Sequence, residues 1–517
     1  MNVLAAMSEP TTYPHQVDRI RHLETHISHV FLTGEFAYKL KKPLQNPFLD
    51  YRTLEARKRY CAQELELNRR FSPELYVGVV AIAKDANGWN LEGRGEIVEY
   101  AVKMREFSQD ELLLSQLRSG KLTEEQVRSL GAELAAIHQA APRLPDLSAA
   151  YGSPSVVAEE SRDNVRALRQ LAPEAQRGLV EELAAEIEQQ LQKLEPVFAE
   201  RRARGFIREC HGDLHLGNLI WRAGRVQLFD GIEFNESFRW IDLMSDLGFV
   251  LMDLEEHRQP GLANLLLNVY LEASGDFGGL QVLNFYKVYR ALVRAKVAAL
   301  RANQQVSQSR AHSWEEVVEY LEYAAAAFVV RHPRLILTHG VSGSGKTFQT
   351  EPLLKLPGLI RIRSDVERKR MEGLRGVERA GFEPGAGMYT AARKNLVYQQ
   401  LCVMARRGIE SGWTILIDAT FLQAENRQPF QQLAAELDVP LQILHFEAAE
   451  EILKARLRER AARGRDASDA DCNVLELQLR SYQPLAAEDL ACCTSVDRLQ
   501  KELTPAERSP SFRASRN

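Results

Sequence analysis

The chain lacks a long hydrophobic run. No apolar stretch approaches the roughly 20 residues that a membrane-spanning helix needs, so no membrane partner is expected. The start of the sequence, Met1 to Pro10, has neither the basic nor the apolar segment of a secretory signal. Cysteine is scarce as well, because only six are scattered along the chain, without a C-x-x-C pair. This pattern argues against a zinc site or a disulfide framework and favours reduced thiols in a cytoplasmic protein.

An excess of charge of either sign is also absent. Lys and Arg number 66 against 70 Asp and Glu, which gives a net charge of −4. No basic stretch is interleaved with aromatic residues, so nucleic acid is not expected as a partner. The remaining composition, 45% hydrophobic and 26% charged over 517 residues, is typical of a soluble globular protein. A chain of this length holds about two to four domains.

The most informative stretch is His-Gly-Asp-Leu-His-Leu-Gly-Asn at 211–218, followed by Phe-Asp-Gly at 229–231. Phosphoryl transfer in kinase folds needs a carboxylate that receives the hydroxyl proton, and an Asn and an Asp that hold Mg²⁺. Asp213 is the candidate base, and Asn218 and Asp230 are the candidate Mg²⁺ ligands. The second acid ends an apolar run, as expected for a residue at the end of a strand.

The two histidines of this stretch have two possible roles. His211 and His215 could order the loop around the acids, or they could form a metal site of their own. Mg²⁺ prefers octahedral oxygen ligands and keeps several waters, so the ordering role is favoured.

An earlier segment supplies a candidate phosphate-binding lysine. Residues 30–41 predict a hairpin, and Lys39 and Lys41 point to the same face of its second strand. Lys39 is the choice for the phosphate contact, and Lys41 is the alternative. A purely structural interpretation is that the segment is a plain basic edge strand with no phosphate contact. Residues 54–71 predict a helix in which Glu64 would pair with the strand lysine, unless it is an ordinary solvated glutamate.

These motifs resemble a known family. Their order and spacing are similar to H-R-D-x-x-x-x-N and D-F-G of protein kinases, but residues 24–28 stand where a glycine-rich loop would be. Gly before Asp213, with His two residues after it, resembles the aminoglycoside phosphotransferase and choline kinase family instead. The resemblance implies an α+β bilobal protein-kinase-like domain, ATP and Mg²⁺ as cofactors, and a small-molecule hydroxyl acceptor.

A second nucleotide motif lies far downstream. An apolar run at 335–338 leads into G-x-x-x-x-G-K-T, which is the strand–loop–helix context of a P-loop. Its backbone N–H groups and the following helix N-terminus favour phosphate. Lys346 is expected on the β- and γ-phosphates, and the Thr347 hydroxyl on Mg²⁺. The expected nucleotide contacts are Gly340, Ser342, Gly343, Ser344, Gly345, Lys346 and Thr347.

The segments after the P-loop resemble small kinases of the polynucleotide kinase and gluconate kinase type. Asp365 follows a predicted strand, as the acceptor-hydroxyl base does in those kinases, and Arg368 is a candidate acceptor clamp. Asp418 ends another apolar strand and fits a Walker-B-like metal ligand. The helical stretch 450–463 resembles an arginine-rich lid over ATP, with a solvated basic face as the structural alternative. Its candidate contacts are Arg456, Arg460 and Arg463.

Together these features predict an aminoglycoside phosphotransferase-like domain at 1–330, an α/β P-loop domain with a parallel sheet at 331–495, and a disordered tail at 496–517. The whole resembles bacterial two-domain proteins that fuse such a domain to a P-loop (AAA-type) ATP-binding domain. The expected function is transfer of the ATP γ-phosphate to a small hydroxyl compound, with two nucleotide sites. Alternatively, one domain is a regulatory nucleotide-binding module, or the P-loop domain is a toxin-like or nucleic-acid end kinase. The acceptor, the choice of ATP or GTP and the oligomeric state stay open.

Overall fold

The computed structural model describes residues 2–46, 49–91, 93–304, 308–328, 332–374, 391–463, 468 and 470–504. The chain forms two compact units. The first comprises 1–133, 137–163 and 195–253, and the second comprises 134–136, 164–194 and 254–517. Within the described residues no helix is long and apolar enough to cross a membrane.

Strands and helices occur in separate runs in the first part of the chain and alternate in the part that begins at Leu335. In chain order the strands are β1 (Arg21–Glu24), β2 (Ser28–Leu32), β3 (Phe36–Lys41), β4 (Gln45–Asn46), β5 (Leu49–Asp50), β6 (Tyr76–Asp85), β7 (Gly88–Asn90), β8 (Glu96–Arg105), β9 (Ile207–Glu209), β10 (Leu219–Arg222), β11 (Arg225–Leu228), β12 (Trp240–Asp242), β13 (Leu335–His339), β14 (Leu359–Arg363), β15 (Thr414–Asp418), β16 (Leu441–His445) and β17 (Cys493–Thr494).

The helices, apart from short 3₁₀ turns, are α1 (Val3–Met7), α2 (Leu54–Arg69), α3 (Leu113–Arg118), α4 (Glu124–Ala140), α5 (Pro154–Leu171), α6 (Arg177–Ala203), α7 (Leu243–Glu256), α8 (Pro260–Ser274), α9 (Leu280–Gln304), α10 (Gln308–Ala327), α11 (Lys346–Thr350), α12 (Ser364–Met371), α13 (Ala391–Glu410), α14 (Ala424–Glu436), α15 (Glu450–Arg463), α16 (Cys472–Arg480), α17 (Ala487–Ala491) and α18 (Val496–Leu503).

The first unit begins with an antiparallel sheet in the order β1-β2-β3-β8-β6-β7. The predicted hairpin is β2–β3, and its register places Val30 opposite Lys39. Helix α2 begins where the Thr53 hydroxyl accepts the Ala56 N–H at 3.1 Å, an N-cap that satisfies a backbone donor. Its buried face packs against β6 and β8, which brings Glu64 close to the hairpin.

The second half of this unit carries the His211–Asn218 loop. Two short antiparallel pairs flank it, β10 with β11 and β12 with β9. Strand β11 ends at Leu228, so residues 229–231 follow a strand as expected. The protein-kinase-like fold predicted for this part of the chain is confirmed.

The second unit contains a parallel sheet in the order β14-β15-β13-β16-β17. Its central strands are fully buried apolar runs, as parallel sheets covered by helices require. Strand β13 leads directly into the P-loop, and helix α11 follows it. The predicted α/β fold with a parallel sheet is therefore confirmed.

One prediction about the chain's end is wrong in part. Residues 496–503 were assigned to a disordered tail, but they form helix α18. The hydroxyl of Ser495 caps it by accepting the Arg498 N–H at 3.2 Å, and Leu499 is fully buried. An N-cap and a buried apolar contact together stabilise a short helix. Residues 505–517 lie outside the described part of the chain.

Candidate active sites

In the first unit, the strand lysine lies between two carboxylates. Lys39 Nζ is 2.9 Å from Glu64 Oε1 and forms a very short ion pair with Asp230 Oδ1. The pair expected between Lys39 and Glu64 is therefore present. Burial would lower the pKa of Lys39, but the charges of Asp230 and Glu64 outweigh it and raise this pKa well above its ordinary value. Lys39 is thus held as a fixed cation beside the candidate metal ligand Asp230.

The second strand lysine belongs to the same network. Lys41 Nζ lies 2.7 Å from Glu64 Oε2 and also pairs with Glu233, and the Tyr51 hydroxyl donates to Glu233 at 2.5 Å. Burial would raise the pKa of Glu64, but the charges of Lys39 and Lys41 lower it to about 2. Lys41 therefore contacts Glu233, while Lys39 contacts Asp230. Sequence reasoning left the choice between the lysines open, and it did not find the roles of Glu233 and Tyr51 in this network.

The candidate base and metal ligands lie on adjoining loops. Asn218 Nδ2 donates to Asp213 Oδ2 at 3.1 Å and to the Asp213 backbone oxygen at 3.0 Å. This leaves the amide oxygen of Asn218 as the atom suited to a cation. The Asn218 backbone oxygen in turn accepts the Phe229 N–H at 3.1 Å, which ties the loop to the residue before Asp230. Three oxygen-bearing side chains on tied loops fit Mg²⁺ chemically.

The histidines order this loop. His211 Nε2 lies 2.9 Å from the Phe229 oxygen, and its Nδ1 accepts the Asp213 N–H at 3.3 Å, so Nε2 carries the proton. Burial lowers the pKa of His211, although Asp246 opposes the shift. His215 Nδ1 accepts the Gly217 N–H at 3.0 Å. These contacts match the ordering role, because the Nδ1 atoms of both histidines already accept backbone N–H groups of the loop.

The turn before the base is fixed by helix α7. Asp246 accepts the N–H groups of His211 and Gly212 at 3.1 and 2.9 Å. Gly212 has φ +86, and a Cβ there would lie 2.6 Å from the Phe238 oxygen. Only glycine fits such a left-handed, crowded position without strain. Asp246 therefore braces this turn and fixes the direction in which Asp213 leaves it.

Asp230 also has a left-handed backbone, with φ 63. Its N–H donates to the Tyr76 hydroxyl at 3.0 Å, and the next N–H, of Gly231, donates to Asn68 Oδ1 at 2.8 Å. Asn68 lies one helical turn after Glu64 on α2. Helix α2 therefore fixes both the partner of Lys39 and the backbone that carries Asp230.

In the second unit, the P-loop turns closely around the lysine. Lys346 Nζ donates to the Gly340 and Val341 oxygens at 2.9 Å each. Burial lowers the pKa of Lys346, and Asp418 and Asp365 only partly oppose this. Gly340 has φ +149, and a Cβ there would lie 2.4 Å from the Phe446 oxygen. The loop passes so close to strand β16 that a side chain at this position does not fit.

The P-loop fits a nucleotide with a divalent cation. Thr347 Oγ1 donates to Asp418 Oδ2 at 2.6 Å, so the two candidate metal ligands are in direct contact. The buried Ser344 hydroxyl has no hydrogen-bond partner among the described residues, and a phosphate oxygen would supply one. Residues Gly343 and Gly345 have φ values of +84 and +96. These conformations turn backbone N–H groups towards an anion, as in other phosphate-binding loops.

One contact in the P-loop was not found from the sequence. Gln478 on α16 accepts the Ser342 N–H at 2.7 Å and donates to the Ser342 hydroxyl at 3.0 Å. A phosphate that accepted the Ser342 N–H would have to displace the side-chain amide of Gln478. No local pattern marks Gln478, because it lies 136 residues after Ser342.

A cavity of about 420 Å³ opens over the P-loop, within the range of small-molecule sites. Asp365 lines it and lies 2.9 Å from Arg368. Burial would raise the pKa of Asp365, but Arg368 and other groups lower it, so the carboxylate is ionised at neutral pH. Other polar residues that line the cavity include Arg363, Lys394, Tyr398 and Thr420.

The predicted lid arginines are placed in part. Arg456 and Arg460 both line this cavity. Arg456 Nη1 donates to the Gly343 oxygen at 3.2 Å, and Arg460 Nη2 donates to the Ala470 oxygen at 2.6 Å. The side chain of Arg463 lies outside the described residues, as do residues 464–467.

Comparison with known families agrees with both motif sets. The profile of the phosphotransferase enzyme family, APH, matches residues 59–286. The profile of an AAA domain family, AAA_33, matches residues 335–485. Each match contains the motif on which the corresponding prediction rests.

Among curated proteins, the chain is similar to the uncharacterized proteins Rv2004c of Mycobacterium tuberculosis and Mb2027c of Mycobacterium bovis. Each is 29% identical over 449 residues, which covers 86% of this chain and 87% of the relative. The shared region is longer than either family match alone.

Solved structures give weaker similarities. A choline/ethanolamine kinase family protein from Mesorhizobium loti has a TM-score of 0.38 and 13% identity, over 63% of this chain and 99% of that one. A gluconokinase from Sinorhizobium meliloti has a TM-score of 0.23 and 19% identity, over 32% and 82%. Values of this size carry no argument about function. The family matches and the motifs carry such an argument. They identify the chain as a kinase in which an aminoglycoside phosphotransferase-like domain is fused to a P-loop domain.

Proposed function

We propose that the enzyme transfers the γ-phosphate of ATP to a hydroxyl of a small molecule, and that each of its two domains holds its own Mg²⁺–nucleotide site. The observation that carries this proposal is that each compact unit has its own lysine close to candidate metal ligands. Lys39 with Asp230 lies in one compact unit, and Lys346 with Thr347 and Asp418 lies in the other. The six cysteines are free thiols, which fits the cytoplasm as the proposed location.

In the first domain, Asp213 receives the proton of the acceptor hydroxyl as that oxygen attacks the γ-phosphate. Asn218 and Asp230 supply oxygen ligands for Mg²⁺, which when bound neutralises charge on the phosphates. Lys39 would release Asp230 to this cation and contact the phosphates instead. The hydrogen bond to Glu64 would hold the Lys39 ammonium within the site during this exchange. Asp230 would keep a cationic partner in the exchange, because Mg²⁺ would take the place of the ammonium beside it.

In the P-loop domain, Asp365 is the proposed base and the P-loop binds the phosphates. Thr347 and Asp418 would hold the cation, which their contact at 2.6 Å prepares. Lys346 would exchange the two backbone oxygens of Gly340 and Val341 for β- and γ-phosphate oxygens. Arg456 and Arg460 are the proposed lid contacts, because both line the same cavity as Asp365.

The test is transfer of labelled γ-phosphate from Mg-ATP to a panel of sugars, nucleosides and aminoglycosides. The wild type is compared with Asp213→Ala and Lys346→Ala, and with Asp146→Ala, an exposed aspartate with no proposed role, as the matched control. We expect one labelled product to disappear with Asp213→Ala and another to disappear with Lys346→Ala.

Other outcomes decide between the alternatives. If Asp213→Ala or Lys346→Ala kept the full ATP turnover of the wild type, two active sites would be excluded. One domain would then be a regulatory nucleotide-binding module. Labelling of DNA or RNA 5′-hydroxyl ends, lost in Lys346→Ala, would instead support the nucleic-acid end kinase. Absence of any labelled product in the wild type would contradict the proposal for this acceptor panel.

A further inference from the structure

Helix α8 is attached to the edge of the P-loop sheet. Strand β14 is the terminal strand of that sheet among the described residues, so one side of its backbone has no neighbouring strand. Asn264 Nδ2 donates to the Leu359 oxygen at 2.8 Å, and Asn268 Oδ1 accepts the Arg361 N–H at 2.8 Å. Two buried side chains thus supply the hydrogen bonds that a further strand would make. Yet α8 lies in the stretch matched by the phosphotransferase family, 59–286.

The same face of α8 presents a carboxylate to this strand. Asn264, Asn268 and Glu272 follow one another at intervals of four residues, which places them in one row along the helix. Glu272 Oε1 lies 3.1 Å from Arg363 Nη1, and its Oε2 lies 3.9 Å from Arg361 Nη2. Glu272 therefore contacts both arginines that project from one side of β14.

Each arginine leads to Thr347 by a separate route. Arg361, which is 5% exposed, donates from Nη1 to the Thr347 backbone oxygen at 3.2 Å. Arg363 Nε lies 3.9 Å from Asp418 Oδ2, the same oxygen that accepts the Thr347 hydroxyl at 2.6 Å. The carboxylate of Glu272 is thus two contacts from the Thr347 backbone oxygen, through Arg361, and three contacts from the Thr347 hydroxyl, through Arg363 and Asp418.

We propose that Glu272 is a positioning residue for the Mg²⁺–nucleotide site of the P-loop, which it controls by sharing Arg363 with Asp418. The inference rests on the proposed function, in which Thr347 and Asp418 hold the cation. Without the Glu272 carboxylate, Asp418 and Asp365 are nearby anions that remain for the Arg363 guanidinium. An arginine drawn to Asp418 competes directly with Mg²⁺ for the same oxygens.

The experiment measures ADP binding to the full chain, with Mg²⁺ and in EDTA, for the binding component that Lys346→Ala abolishes. We expect Glu272→Gln to weaken this component about fivefold with Mg²⁺, the size of one partly exposed ion pair. In EDTA the same component should stay within about twofold of the wild type. The matched control is Glu322→Gln, an exposed glutamate on α10, which should change neither value.

A second variant separates positioning from general loosening of the fold. Glu272→Gln combined with Arg363→Gln removes the competing guanidinium together with its partner. If Arg363 competes with the cation, this double variant recovers most of the Mg²⁺-dependent affinity. A merely structural role of Glu272 predicts no recovery, since the double variant loses a further contact.

The outcomes distinguish the inference from the proposed function. Equal effects of Glu272→Gln with Mg²⁺ and in EDTA, or no effect in either, would overturn the inference while the P-loop site stands. Failure of the double variant to recover would overturn it as well. A wild type with no component sensitive to Lys346→Ala would remove both the P-loop nucleotide site and the inference.

Discussion

Two buried lysines, one in each candidate site, are held in opposite ways. Lys39 contacts the carboxylates of Glu64 and Asp230, and their charges raise its pKa well above the ordinary value. Lys346 contacts the backbone oxygens of Gly340 and Val341, and burial lowers its pKa. The Lys39 ammonium is paired with carboxylates, whereas the Lys346 ammonium is hydrogen-bonded to two backbone oxygens.

This difference has a consequence for ligand binding. A phosphate at Lys39 must compete with Asp230, and the competition is relieved only when a cation takes over that carboxylate. A phosphate at Lys346 would replace two carbonyl contacts and place an anion directly against this ammonium. The first site therefore couples phosphate binding tightly to the divalent cation, whereas the second favours an anion by itself.

The largest expected effect separates the two bases. Asp213→Asn and Asp365→Asn should each lower the turnover of their own domain by about 10³-fold, because each removes the proposed base for the acceptor hydroxyl. Each should leave the other domain's turnover within about twofold. The measurement is steady-state product formation with an acceptor for each domain. Loss of both products in one variant would contradict independent sites.

The next prediction contrasts the lysines directly. Lys39→Met should lower the free energy of unfolding by about 3 kcal/mol, because it leaves the buried Glu64 carboxylate with one cation, Lys41, in place of two. Lys346→Met removes a charge that burial already disfavours, so its effect on stability should stay within about 1 kcal/mol. Urea unfolding at pH 7 without nucleotide measures both. Equal losses of stability would mean that the two lysines are held alike.

A third prediction concerns pH and a histidine beside the P-loop. Burial, together with the nearby His445, lowers the pKa of His339 to about 4. Between pH 6.5 and 4 the unfolded chain then binds more protons than the folded one, so stability falls as the pH is lowered through this range. The full contribution is about 3 kcal/mol. His339→Asn should remove this part of the pH dependence in urea unfolding, whereas the exposed His312→Asn should keep it.

The smallest expected effect tests the contact that occupies the P-loop. Gln478→Ala removes the side chain that holds the Ser342 N–H and hydroxyl. We expect nucleotide binding at the P-loop to tighten about threefold, because one net hydrogen bond no longer has to be broken. Competition binding with ADP measures the change. Weaker binding would show that Gln478 supports the loop in its ligand-binding shape.

The sequence predicted those parts of the sites that lie close together in the chain or follow a strand. Asp213 and Asn218 share one loop, and Lys346 and Thr347 share another, so motif spacing places each pair together. Glu64 was found because its helix follows the hairpin of Lys39 directly. In all these cases local geometry restricts where the side chain points.

Contacts between distant segments were beyond such reasoning. Gln478 contacts the P-loop and Glu272 contacts the arginines of β14, each from a helix that carries no nucleotide motif, and only tertiary packing places them there. The helix at 496–503 did have a local signal, in Ser495 followed by Val496, Leu499 and Leu503 on one face. The charged and Ser- and Pro-containing composition of the chain's end outweighed that signal.

The most direct test of two nucleotide sites is binding stoichiometry. Calorimetric titration of the full chain with a non-hydrolysable ATP analogue and Mg²⁺ should give two bound nucleotides per chain. Lys346→Met, which is expected to weaken its site about 100-fold, should reduce this to one. Lys39→Met should also reduce it to one, with the other site retained. A wild-type stoichiometry of one, unchanged by either of these variants, would contradict the central claim.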